Sequence, residues 1–134
     1  MNAQEAPANA PRVLVVDDNE DAADSLATLL GVMGYEVKTA YDGPEAIEAA
    51  DAFVPEVALL DIGLPRLSGY DIARHIREQR GQEVLLVAIT GWGQEDDRRR
   101  AREAGFDHHF TKPADFEVLL ELIDRELKQR RPAH

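Results

Sequence analysis

Five times along this chain, a short run suited to a strand is followed by a stretch with apolar residues at helical spacing. The runs are Arg12–Val16 (RVLVV), Glu36–Ala40, 57–60, 84–89 and His108–Thr111. The intervening stripes are Ala22, Leu26, Leu29, Leu30 and Met33, stopped by Gly34; then Ala46, Ile47, Ala49, Ala50 and Phe53 after the Asp42-Gly43 turn; then Ile72, Ala73 and Ile76 within 68–79. A charged stretch from Glu95 to Ala104 ends at Gly105, and Phe116, Leu119, Leu120, Ile123 and Leu127 share one face of 115–127. Strict alternation of strand and helix leaves little choice of architecture: a mostly parallel sheet with helices on both faces. Runs such as 84–89, apolar at every position, are what a sheet covered on both sides requires. The weaker run Glu36–Ala40 is expected at or near an edge.

The chain has 134 residues, which is one domain by length. The ordered unit is expected over 12–128. Residues 1–11, rich in Ala, Pro and Asn without periodicity, are expected to form a disordered tail, and 129–134 a polar one. There is no cysteine, which excludes disulfides and thiolate metal sites and fits a reducing, cytoplasmic setting. No apolar run is long enough to span a bilayer, and MNAQEAPANAPR has no signal-peptide pattern. The net charge of −11 argues against nucleic acid as a partner, because an acidic surface repels phosphate backbones.

The polar residues that interrupt the strands are not scattered. Asp17 and Asp18 end the first strand, Asp61 in LLDIGLP ends the third, Thr90 ends the fourth and Lys112 follows the fifth. All belong to the carboxyl edge of the sheet, where ligands of open α/β sheets bind at the point of strand-order reversal. With strand order 2-1-3-4-5 that point lies between strands 1 and 3, flanked by the three aspartates. Clustered carboxylates raise the cost of ionising one another, so a cation is expected among them. Lys112 is one candidate and Mg²⁺ the other, since an oxygen-only donor set suits a hard divalent ion.

Four segments, VVDDNED, LLDIGLPRLSGYD, AITGWG and FTKP, resemble the receiver domain of two-component response regulators, over about residues 12 to 128. The resemblance implies a flavodoxin-like (βα)₅ fold and phosphorylation of Asp61 by a histidine kinase or histidine phosphotransfer protein. It implies Mg²⁺ held by Asp17, Asp18, Asp61 and the backbone carbonyl of Gly63. Thr90 and Lys112 are then expected to contact phosphoryl oxygens, and Pro113 to follow a cis peptide. Such a protein catalyses only its own phosphorylation and dephosphorylation. Its output passes by protein contact to an unknown target, commonly through helix 4, strand 5 and helix 5, as a monomer or a phosphorylation-dependent dimer. The chain departs from the family at the strand 5 switch position, usually Tyr or Phe, where it has His109.

Competing readings attach to the same residues. Asp17 and Asp18 also suit a helix N-terminus. Only seven residues follow Leu127, which favours a stand-alone regulator; a phosphorelay receiver and a receiver excised from a hybrid kinase are the close alternatives. A phosphatase with an Asp nucleophile would carry a second Asp where Gly63 stands. A flavin-binding protein would need a phosphate-cradling loop where DDNED stands. Arg98, Arg99, Arg100 and Arg102, set among Glu95, Asp96, Asp97 and Glu103, read as a solvated helix face with a role in partner docking. His108 and His109 point to opposite faces of a strand, which makes a metal site there improbable. Trp92, two residues past Thr90, is expected to lie across the site and, with Gly63 offering no group to orient water, to slow loss of the phosphoryl group.

Overall fold

The computed structural model describes residues 10–64, 67–91 and 95–130, the side chains of 95–97 excepted. Its elements run β1 (Arg12–Val16), α1 (Glu20–Val32), β2 (Glu36–Ala40), α2 (Gly43–Phe53), β3 (Val57–Asp61), α3 (Gly69–Arg80), a 3₁₀ turn, β4 (Leu85–Thr90), α4 (Glu95–Ala104), β5 (His108–Thr111) and α5 (Phe116–Arg130). The five strands are parallel in the order β2-β1-β3-β4-β5, as the alternation predicts.

The period of two in each strand separates the core into two layers. Leu14, Val16, Ala58, Leu60, Leu86 and Ala88 face α2, α3 and α4. Val13, Val15, Val57, Leu59, Leu85 and Val87 face α1 and α5. Every residue of β3 and β4 is buried, so these central strands gain from burial on both faces.

Helix starts follow local chemistry. Asn19 Oδ1 accepts from Ala22 N at 3.1 Å to cap α1, and Asp42 Oδ1 accepts from Glu45 N at 2.8 Å to cap α2. Ser68 and Asp71 form a reciprocal capping box on α3, which satisfies two otherwise orphaned donors. Asp115 Oδ1 accepts from Glu117 N and Val118 N at the start of α5.

Helix α1 differs from its expected inward stripe. Ala23 and Leu30 are buried and Leu26 is half-buried. Ala22 is exposed, and so are Leu29 and Met33, at 47% and 53%. The helix is rotated so that 23, 26 and 30 meet the sheet, while Ala22 and Leu29 line a groove shared with α5. In α5 the structure adds Leu122 to the buried set. Packing contacts are also made by residues at either end of 12–128. Ala10 is buried, Pro11 O accepts from Glu36 N at 3.0 Å, and α5 continues to Arg130, whose Nη1 donates to Gln82 O at 2.7 Å. Residues 1–9 and 131–134 lie outside the described residues.

At the edge opposite the aspartates, Arg77 ties α3 to the sheet. It donates to the carbonyls of Gly105, Gly81 and Val84 at 2.7–2.8 Å and pairs with Asp107 Oδ2 at 2.8 Å. The same carboxylate accepts from Leu86 N at 2.9 Å. Arg77→Met keeps the aliphatic packing but leaves three carbonyls and a shielded carboxylate short of a donor. It is expected to cost about 2–4 kcal/mol, read by urea denaturation.

Candidate functional site

Asp17, Asp61 and Thr90 are the buried polar residues among those described, at 8%, 7% and 3% exposure. All three sit at strand ends on one edge. The parallel register sets Asp61 beside Ile89 and Thr90 beside Thr111. Carboxylate oxygens of Asp17, Asp18 and Asp61 lie within 4.8 Å of one another. Lys112 Nζ donates to Asp17 Oδ2 at 2.9 Å and to Asp61 Oδ2 at 3.2 Å. The Lys112–Pro113 peptide is cis, and Lys112 N donates to Thr90 O at 2.6 Å.

Asp17 does not cap α1; Asn19 does. Asp17 Oδ1 instead accepts from Asn19 N at 3.0 Å, while its other oxygen holds Lys112. Asp61 divides its oxygens the same way, Oδ1 accepting from Gly63 N at 3.0 Å and Oδ2 bonding Lys112. The loop after Asp61 is held from below by Gly69. A Cβ there would stand 2.6 Å from Asp61 O and 2.9 Å from Ile62 Cα, so α3 begins in direct contact with the backbone of the site. Gly63 is open: a Cβ would lie 3.7 Å from Asp61 Oδ1.

Burial raises the Asp61 carboxyl above the ordinary carboxylate range, and nearby Asp17 adds to this; the Gly63 amide and Lys112 pull the other way without cancelling it. For Lys112, burial alone favours the neutral amine, but the bonds to Asp17 and Asp61 outweigh it and hold the ammonium above its usual value. The site thus holds more negative charge than its lysine neutralises, and an oxygen-lined cluster of this kind suits a hard cation.

The stability consequence has a definite sign. A carboxyl raised in the folded state costs nothing below its unfolded value near 3.8 and costs progressively more as pH rises through the folded value. Asp61→Asn is therefore expected to melt higher than the parent at pH 7 in metal-free buffer, with the gain vanishing as pH falls toward 3.8. Each kcal/mol of relieved burial cost corresponds to roughly 4 °C in a domain of this size. Scanning calorimetry across that range checks it.

Other expected residues fall elsewhere. His109 pairs in register with Ala88 and lines clefts beside α4 and α5, not the carboxylate cluster. Trp92 lies outside the described residues. A feature that sequence reasoning missed is an apolar groove of about 500 Å³ that opens beside Asp17 and Lys112, walled by Leu26, Leu29, Ile89, Pro113 and Phe116. Its signal in the sequence is the apolar stripe of α1, whose spacing alone puts Leu29 in the core.

A five-stranded parallel sheet in the order 2-1-3-4-5, with carboxylates and a lysine gathered at its switch point, defines the CheY-like class of α/β signalling module. The chain belongs to the response regulator receiver domain family, whose model matches residues 13–124. It is 39% identical over 115 residues to the transcriptional regulatory protein PrrA of Mycobacterium tuberculosis, covering 86% of this chain and 48% of PrrA. It thus spans about half the length of the curated relatives it matches first. Among solved structures, a CheY-like receiver domain protein of Methanospirillum hungatei superposes with a TM-score of 0.85 at 28% identity, covering 91% of this chain and 97% of that one. A Burkholderia pseudomallei response regulator, solved with a phosphorylated aspartic acid and a calcium ion, superposes with a TM-score of 0.77 at 27% identity, covering 92% and 76%.

Proposed function

We propose that Asp61 accepts a phosphoryl group from a phosphohistidine on a histidine kinase or phosphotransfer protein. The observation that carries this reading is one buried carboxylate at the switch point, oriented by Gly63 N and Lys112, with Asp17 and Asp18 beside it. In the transfer, a carboxylate oxygen of Asp61 forms a bond to phosphorus as the phosphorus–nitrogen bond to imidazole breaks; the departing imidazole takes a proton from water. Such transfer needs in-line positioning and charge neutralisation more than covalent help. Lys112 supplies a cation at Asp61 Oδ2, and the hydroxyl of Thr90 supplies a donor from β4. Asp17, Asp18 and Asp61, with the Gly63 carbonyl, would hold Mg²⁺, which when bound neutralises charge on phosphoryl oxygens. The phosphorylated Burkholderia pseudomallei relative supports the assignment by analogy of site.

The receiver unit spans 12–128 in this reading, works in the cytoplasm, and signals by protein contact as a monomer or a phosphorylation-dependent dimer. Among the described residues no helix is long and apolar enough to cross a membrane. Intact mass spectrometry after incubation with acetyl phosphate and Mg²⁺ should show one added phosphoryl group, lost when EDTA is present. An unmodified mass with Mg²⁺ overturns the reading.

Asp17→Asn and Asp18→Asn are expected to lower Mg²⁺ affinity by about tenfold or more, since they would hold the ion and even residues that only support a ligand typically carry about that much, while thermal stability in metal-free buffer stays level or rises. Isothermal titration and melting curves check both. A large loss of stability instead would assign these residues to the fold.

A further inference from the structure

The loop that follows Asp61 is anchored on both sides of Gly63. Ile62 and Leu64 are buried in the core layer shared with α2 and α3, and Gly63 between them is exposed. Farther along, Leu67 packs half-buried against the same layer. Gly69 then closes the loop, its N donating to Ile62 O at 3.4 Å.

Gly43, the first residue of α2, stands directly against Leu67. A Cβ on Gly43 would lie 2.3 Å from Leu67 Cβ and 2.7 Å from Leu67 O. Gly43 is buried. Among the described residues the glycines with positive φ are Gly34, Gly81 and Gly105, so the backbone at Gly43 is open to residues with a side chain. Space is what demands glycine there. The start of α2 is also firm on its own side. Asp42 Oδ1 caps it at Glu45 N, Pro44 follows with its φ fixed by the ring, and Ala46, Ala49 and Ala50 are buried in the same layer.

We propose that Gly43 is a positioning residue for the cation: its missing Cβ lets Leu67 seat on α2, and that contact sets the course of the loop that supplies the Gly63 carbonyl. This role rests on Mg²⁺ being held as proposed above by Asp17, Asp18, Asp61 and that carbonyl. Carbon atoms pack at about 3.5–4.0 Å, so a Cβ at position 43 must displace Leu67 by roughly 1 Å. The other end of the loop cannot absorb the shift, because Gly69 backs directly onto Asp61 O and Ile62 Cα. The displacement falls on the stretch that begins at Gly63. Mg²⁺ demands near-ideal octahedral geometry with ligands at about 2.0–2.1 Å, so a shift of that size is read strongly in affinity.

The test pairs isothermal titration with Mg²⁺ and the NMR shift of the Gly63 amide proton in metal-free buffer, which reports its bond to Asp61 Oδ1. Gly43→Ala is expected to lower Mg²⁺ affinity by roughly tenfold or more, as loss of a group that supports a ligand does, and to move the Gly63 amide. Gly105→Ala is the control for stability alone. It places a Cβ 2.7 Å from Arg77 Cγ at a φ of +106°, at the edge opposite the aspartates. It should melt lower than the parent, bind Mg²⁺ as the parent does and leave the Gly63 amide in place. Leu67→Ala removes the seated side chain without crowding and should lower the affinity by a smaller factor; it decides the matter if circular dichroism shows Gly43→Ala unfolded. A parent that binds no Mg²⁺ overturns the cation reading and this role with it. A parent that binds, with Gly43→Ala equal to it, overturns this role alone. So does an equal loss in Gly43→Ala and Gly105→Ala, or an unchanged affinity in Leu67→Ala.

Discussion

Asp61→Asn is expected to take up no phosphoryl group from acetyl phosphate under conditions in which the parent protein gains one per molecule. Asparagine keeps the shape of the side chain, and its single amide oxygen can still accept from Gly63 N or from Lys112 Nζ, though not from both as the two carboxylate oxygens do. What it lacks is an anionic oxygen to attack phosphorus, and an uncharged amide is no substitute for a carboxylate nucleophile. The loss should therefore be complete within detection by intact mass, while the variant stays folded. Labelling that persists in Asp61→Asn would move the acceptor to another carboxylate, with Asp17 the first to examine because it shares the same lysine.

The second large effect is expected at Gly69. Its Cα stands where any Cβ would come within 2.6 Å of Asp61 O and 2.9 Å of Ile62 Cα, both backbone atoms that no rotamer change can move. Gly69→Ala must push α3 away from the loop or shift the loop itself, and overpacking of this kind costs about 1–3 kcal/mol. Either movement also disturbs the turn that brings Gly63 N to Asp61, so the yield of phosphorylated protein should fall along with stability. Gly31 gives the internal comparison. It lies in α1 with nothing within 4 Å of an added Cβ, and Gly31→Ala should stabilise by about 0.5–1 kcal/mol through helix propensity. Urea denaturation of the two variants should thus move in opposite directions. A neutral Gly69→Ala would mean that the contact between α3 and the site backbone yields freely.

Much of the site was legible because of where polar residues fall in apolar strands. An aspartate after VALL, or two after RVLVV, is costly in a core and so marks a strand end. In a parallel sheet all such ends lie on one edge. That is why Asp17, Asp61, Thr90 and Lys112 could be placed together from spacing alone, and why the strand limits of β1, β2 and β5 matched the structure residue for residue.

Other features were beyond the reach of a pattern. In α1 the residues 22, 26, 29, 30 and 33 satisfy helical spacing, yet the helix turns Leu29 and Met33 to solvent and buries Ala23 instead, because spacing gives the period of a helix and not its rotation against the sheet. Asp17 and Asp18 were equally compatible with capping until the structure gave the cap to Asn19 and let Asp17 hold Lys112, ninety-five residues away in sequence. The four arginines of α4 look alike in the chain. Only packing sends Arg100 onto Tyr70 and leaves Arg98 and Arg102 beside a cleft. Periodicity and strand-end polarity are local, so the sequence by itself determined the fold class, the sheet edge and the residues gathered there. Helix rotation, the partner of each charge and the shape of each cleft are set by competition among distant side chains for the same space and the same counter-charges, and only the tertiary structure decides them.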